Sequence, residues 1–107
     1  MGRTGDRLRE VRPLTTDLTQ SDRRPYFLWD EDTSVAELRA ALSGPDEADR
    51  LRLLGKMLRE ARDTDVWQFV TPADVSQALP ALGRHLGRRR PFWEYIIGRW
   101  RALGWVR

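Results

Sequence analysis

From residue 34 onward, apolar residues recur every three or four positions, and that spacing predicts helices. Val35, Leu38 and Leu42 make the first stripe. Ser34 precedes it with Glu37 three residues on, the spacing at which hydroxyl and carboxylate each take a backbone N–H. Ser43-Gly44 follows it, so a first helix is predicted over 34–43. Pro45 suits a first helical position, Asp46 and Glu47 suit a positive helix end, and Leu51, Leu54, Met57 or Leu58, and Ala61 continue the pattern. A second helix over 45–62 follows, with Arg59 and Arg62 near its last carbonyls.

Asp63 or Thr64 is placed to cap a short segment, Asp65 to Val70, in which Trp67 and Val70 share a face. Thr71-Pro72-Ala73-Asp74 repeats the start signal, and Val75, Ala78, Leu79 and Leu82 carry the stripe on, with Pro80 predicted to end or kink it. That places a fourth helix over 72–79. Residues 83–90 read as a linker. Pro91 then opens a final helix in which Trp93, Ile96, Ile97, Trp100 and Leu103 are spaced 3, 1, 3 and 3; Gly104 is its left-handed terminator, and Trp105 or Val106 can fold back on the last turn.

The start of the chain lacks this order. Between Met1 and Arg24 the apolar residues Leu8, Val11, Leu14 and Leu18 are diluted by polar ones, which predicts a mobile N-terminal arm over 1–24. Their spacing of 3, 3 and 4 also permits an amphipathic helix, interrupted by Pro13, that orders on a partner. No stretch alternates apolar and polar as a half-buried strand does, and Asn-Gly and Asp-Gly turns are absent. The expected fold is all-α: a bundle of four to five short helices forming a single domain over 25–107, with no detectable repeat.

Composition narrows the chemistry. The 107 residues include no cysteine, which removes disulfides, thiolate nucleophiles and cysteine-ligated zinc, and favours a reducing compartment, with the cytosol as the default. No run of about 18 apolar residues exists to span a bilayer. Only Lys56 among the 19 basic residues is a lysine, a bias that a GC-rich genome explains. The net charge of +3 divides into +2 over residues 1–25, −5 over 26–82 and +6 over 83–107, an acidic body with a basic end able to steer a charged partner.

Catalytic signatures are missing together. GxxxxGK[ST], GxGxxG, GxSxG and HExxH do not occur, and His85, the single histidine, has no second nitrogen or sulfur ligand to share a metal. Asp30 and Asp32 form an Asp-x-Asp pair of the kind that holds magnesium, but the glycine- and serine-containing phosphate loop such sites need is missing, and turn or cap roles are favoured. The sequence therefore predicts a non-catalytic protein without metal or cofactor, one that acts by binding.

Two surfaces offer themselves. Pro25-Tyr26-Phe27-Leu28-Trp29 packs large apolar residues against Asp30-Glu31-Asp32, and so dense a cluster is either core or interface. Tyr26, Phe27, Trp29, Asp30 and Asp32 are the first partner-binding candidates. Arg88-Arg89-Arg90 beside Phe92 and Trp93, with Arg99 and Arg101 further on, can contact phosphates and stack on bases, and the segment from Val70 to Val106 loosely has the order of a winged helix-turn-helix. The long segment with Pro80 and two glycines, and the poor base-reading set of Trp93, Tyr95 and Trp100, oppose that reading.

At Phe27-Leu28-Trp29-Asp30-Glu31-Asp32, and again at Phe92-Trp93-Glu94-Tyr95, the chain resembles small bacterial proteins that begin with a Phe-x-Trp-Asp-x-Asp-like box and are often encoded beside nucleotidyltransferase-like toxins of the abortive-infection type. The resemblance covers about residues 25–103. It implies an antitoxin that neutralises its partner enzyme by occupying or covering the site, with the acidic box pairing to basic nucleotide-binding residues of the toxin. The N-terminal arm and the arginine-rich stretch before Pro91 depart from it.

Overall fold

The computed structural model describes residues 11–107, and its first helix, α1 (Val35–Leu42), begins on the capping box read from the sequence. Ser34 Oγ accepts from the Glu37 N–H at 3.1 Å, and Glu37 Oε1 accepts from the Ser34 N–H at 2.9 Å. Two further first-turn donors need acceptors from outside the helix. The Val35 N–H finds the Arg23 carbonyl at 2.9 Å and the Ala36 N–H finds the Ser21 carbonyl at 3.0 Å. The start of α1 thereby fastens the segment before it.

That segment departs from the mobile arm expected over 1–24. Strand β1 (Leu14–Thr15) pairs in parallel with β2 (Arg24–Pro25), Leu14 opposite Arg24 and Thr15 opposite Pro25. Leu18 is buried with the core residues. Asp17 closes the turn between the strands by accepting from the Thr19 N–H at 3.1 Å. The described part of the arm, 11–24, is therefore built of two-residue strands and turns rather than helix, and packs with the body. The boundary drawn at residue 24 does not separate packed from unpacked chain. The expectation for residues 1–10, Leu8 included, lies outside the described residues.

The remaining elements are a 3-10 turn at Tyr26–Leu28, α2 (Glu47–Glu60), α3 (Asp63–Val66), α4 (Pro72–Leu82), a 3-10 segment at Gly83–Arg89, and α5 (Arg90–Ala102). The fold is mostly α-helical, as the periodicity predicts, with the short parallel pair as its one addition among the described residues. Helix α2 is its axis. It packs against α1, α3, α4 and both 3-10 segments, because Leu53, Leu54, Met57 and Leu58 face inward over more than one turn. Each such side chain, fully buried, stabilises the fold by roughly 1.5–3 kcal/mol. Asp46 rather than Pro45 sets the start of α2, its carboxylate accepting from the Asp49 N–H at 3.1 Å.

Two features of the second half depart from the local reading. Residues 83–90, expected as a linker, carry Leu86 into the core and approach α2 so closely that a Cβ on Gly55 would stand 2.5 Å from His85 Cβ. Arg59 Nη1 locks this contact by donating to the His85 carbonyl at 2.8 Å. Helix α4 also continues through Pro80 to Leu82. A proline cannot donate to the carbonyl four residues back, here that of Ser76, and Arg101 Nη2 donates to it instead at 2.8 Å.

Helix α5 ends as read. Gly104 adopts φ +78, its N–H donates to the Arg101 carbonyl at 3.0 Å, and the Trp105 N–H donates to the Trp100 carbonyl at 2.8 Å. This is the paired bond pattern of a glycine-terminated helix. Val106 packs on the core while Trp105 stays exposed. Trp93 is buried, donating through Nε1 to the Leu58 carbonyl at 2.8 Å and meeting Trp67 edge-on with centroids 5.8 Å apart.

Candidate partner-binding surface

The 3-10 turn sorts the aromatic cluster into three roles. Phe27 and Leu28 are buried, and Phe27 meets Phe69 edge-on at 6.0 Å. Phe27 is thus a core residue, not an interface residue as expected. Tyr26 is half-buried with its hydroxyl committed, accepting from the Arg62 N–H at 2.8 Å and donating to Asp65 Oδ2 at 2.6 Å. Burial and the neighbouring Asp65 raise its pKa. Trp29 alone faces solvent, 61% exposed.

Its backbone is held firmly although its side chain is free. Arg24 Nη1 donates to the Trp29 carbonyl at 3.2 Å and to the Glu31 carbonyl at 3.4 Å, and the Glu31 N–H returns to the Leu28 carbonyl at 3.3 Å. Arg24 also donates through Nε to the Arg12 carbonyl. One guanidinium thereby ties the arm, the 3-10 turn and the acidic box together. Val11 and Leu14 on the arm are likewise exposed, and β1 packs beside the same turn.

The carboxylates around Trp29 are already paired. Lys56 Nζ reaches Asp30, and reaches Glu31 Oε2 at 2.8 Å. Arg52 Nη1 meets the same Glu31 oxygen at 3.0 Å. Asp32 faces Arg12, whose Nη1 lies at 3.9 Å and also holds Glu37 at 2.6 Å. Burial opposes ionisation of Glu31, but hydrogen bonds from Lys56, Arg52 and Thr33 outweigh it and lower its pKa to about 2. Lys56 keeps its charge for the complementary reason: burial lowers its pKa, but Asp30 and Glu31 raise it further.

The Asp-x-Asp pair is spent on two different cations. Asp30 turns to Lys56 and Asp32 to Arg12, and no group of three or more metal-ligating side chains occurs among the described residues. Glu31, which the sequence reading passed over as a site residue, is the most sheltered carboxylate of the box at 20% side-chain exposure. Its partner Lys56 is the lone lysine of the chain, a compact ammonium that meets Asp30 and Glu31 together.

The five candidate arginines do not form one face. Arg89 pairs with Asp63 and lies over the Phe92 ring at 4.4 Å. Arg90 pairs with Glu94 at 2.8 Å. Arg101 is taken by Ser76. Arg88 and Arg99 are exposed and make no ion pair with a described residue, and Tyr95, one helical turn before Arg99, is 64% exposed. The seven-residue 3-10 segment between α4 and α5 exceeds a three- or four-residue helix-turn-helix turn, and both described strands precede the helices.

Among the described residues no helix is long and apolar enough to cross a membrane. Set against protein-family models, curated proteins and solved structures, the chain matches none of them.

Proposed function

We propose that this chain is a non-catalytic binding protein that works by protein–protein contact, with Trp29 as its anchor. The observation that carries the reading is a large aromatic side chain held outward by a hydrogen-bonded backbone and ringed by charges that neutralise one another. The backbone at such an anchor loses little conformational freedom on binding, and a rim of mutually neutralised charges can exclude water around it. The resemblance of residues 27–32 to the box of toxin-associated proteins supports an antitoxin-like role, in which the partner is a nucleotidyltransferase-type enzyme whose site is covered. With Phe27 in the core and Tyr26 bonded to Asp65, the contact surface contracts to Trp29, Asp30 and Asp32, joined by Val11 and Leu14. The experiment is affinity capture from the source organism with the unaltered chain and with Trp29→Ala. A nucleotidyltransferase captured by the first and lost by the second supports the reading; equal capture by both removes Trp29 as the anchor.

A second reading has its own observation. Arg88, Tyr95 and Arg99 leave two cations with no ion pair among the described residues, and an exposed ring, on or beside α5, a set suited to phosphate contact and base stacking. Titration with single-stranded and duplex DNA at two salt concentrations tests it. Binding that weakens with salt and is lost in Arg88→Gln/Arg99→Gln supports a nucleic-acid role, and salt-insensitive or absent binding ends it.

A further inference from the structure

The segment before α1 is fastened at two ends, and one side chain joins its backbone to that of the turn carrying Trp29. Among residues 11–24 only Leu18 is buried, while Val11 and Leu14 are exposed. Polar bonds therefore do most of the holding. At one end Arg12 is clasped between two carboxylates: its Nη1 meets Glu37 Oε1 at 2.6 Å and Asp32 Oδ1 at 3.9 Å, and its N–H donates to Asp32 Oδ1 at 3.4 Å. At the other, the Arg23 and Ser21 carbonyls cover the Val35 and Ala36 N–H groups of α1.

Arg24 stands between these ends. Although Asp30, Glu31 and Asp32 follow closely in the chain, the bonds of its guanidinium to described residues go to backbone carbonyls, from Nε to Arg12 and from Nη1 to Trp29 and Glu31. Its own N–H donates to the Pro13 carbonyl at 3.0 Å. A guanidinium is a rigid planar fork, so Nε and Nη1 cannot be re-aimed separately. Moving the Arg12 carbonyl therefore swings Nη1 away from the Trp29 and Glu31 carbonyls. Lys56 and Arg52 hold the Asp30 and Glu31 side chains from α2, a separate attachment that leaves the helical body in place when the segment lifts.

We propose that residues 11–24 form a strap that regulates the Trp29 surface: while Arg12 is clasped, Arg24 fixes the Trp29 backbone in its outward form, and unclasping loosens strap and turn as one unit. Arg24 is the positioning residue of this device and Arg12 its catch. The proposal rests on the reading of Trp29 as an anchor for its consequence, since a partner meets a preset indole only while the strap is fastened.

The test is amide hydrogen exchange of the full chain, followed residue by residue by NMR. The Val35 and Ala36 amides report on the strap, the Glu31 amide, which donates to the Leu28 carbonyl at 3.3 Å, reports on the turn, and those from Leu53 to Leu58 report on the body. Arg12→Ala is expected to speed exchange at Val35, Ala36 and Glu31 by at least about fivefold and to leave Leu53 to Leu58 within about twofold. Arg12→Lys keeps a cation before both carboxylates and should stay within about twofold of the unaltered chain throughout. Arg24→Met should speed Glu31 by at least about fivefold with Arg12 intact. Should Arg24→Met not fold, the two Arg12 variants, which alter a side chain 35% exposed, decide alone. Acceleration at Val35 and Ala36 without Glu31, acceleration that spreads equally to Leu53 to Leu58, equal effects of Arg12→Ala and Arg12→Lys, or an unchanged Glu31 amide in folded Arg24→Met would each overturn the proposal. No partner enters the measurement, so failure of the strap is distinct from failure of Trp29 as the anchor, which capture with Trp29→Ala reads.

Discussion

Arg101 donates at 2.8 Å to the Ser76 carbonyl, the acceptor that Pro80 leaves without its helical partner. A side chain 25 residues away thereby performs what a backbone N–H performs elsewhere in α4. The same guanidinium reaches Ser76 Oγ through Nε at 2.9 Å, so α4 and α5 are bonded at this one point.

The first prediction follows from that contact. Arg101→Met should destabilise the protein by about 1–2 kcal/mol, the loss of charged hydrogen bonds to a partly buried acceptor. With Pro80→Ala in place the residue-80 N–H can take the carbonyl, and the same substitution should then be at most half as damaging. Urea denaturation of the four proteins measures the coupling, and equal losses in both backgrounds would contradict it.

Gly55→Ala should be harmful although alanine is the better helix former by about 1 kcal/mol. The new methyl would stand 2.5 Å from His85 Cβ, and prying the 83–89 segment from α2 should lower stability by about 1–3 kcal/mol. His85→Gly, which removes the opposing carbon, should recover part of that loss when combined with it. Thermal melts of the single and double variants decide the matter.

Phe27 and Trp29 should respond oppositely. Phe27→Ala empties a buried site and should destabilise the fold by about 3–5 kcal/mol. Trp29→Ala touches an exposed side chain and should shift stability by no more than about 0.5 kcal/mol. Denaturation midpoints compare the two directly, and a large loss for Trp29→Ala would mean that its ring supports the fold.

Acid should weaken the protein through Glu31. Its carboxyl has a folded pKa of about 2 against an ordinary 4.5, so the stabilisation is complete above pH 4.5 and is lost as pH falls toward 2. After screening by solvent the contribution amounts to about 1 kcal/mol. Asp30 and Glu37, also lowered, act in the same direction. Glu31→Gln should therefore be less stable at pH 7 and lose less between pH 5 and pH 2, read from urea midpoints across that range.

Where structure is set by neighbours three and four residues apart, the sequence reading and the fold agree. Both capping boxes, Ser34 with Glu37 and Thr71 with Asp74, start helices as their spacing predicts. Contacts between distant segments were not legible in the same way. Pro80 reads as a helix end or kink from its neighbours alone, because the donor that relieves it, Arg101, lies in another helix. Leu18 is diluted by polar neighbours in the sequence, and its burial comes from core residues that lie in other segments. Leu86 was hidden in a glycine- and arginine-rich stretch whose composition suggests a linker while Gly55 makes room for it to pack.

The candidate site was half legible for a similar reason. The cluster at 26–32 was found, yet nothing local distinguishes Phe27, which turns inward, from Trp29, which turns out. The carboxylates were found without their counter-ions, since Arg12, Arg52 and Lys56 come from the arm and from α2.

Because α1, α3, α4 and both 3-10 segments rest on α2, opening one flank need not expose the others. Amide protons from Leu53 to Leu58 should be the last to exchange with deuterated water, and those of Leu14 to Arg24 should exchange early, through a local detachment that leaves the helices intact. The fold is organised as a spindle with separable coverings, so a partner that grips the arm and Trp29 could stiffen the outermost layer without disturbing the centre.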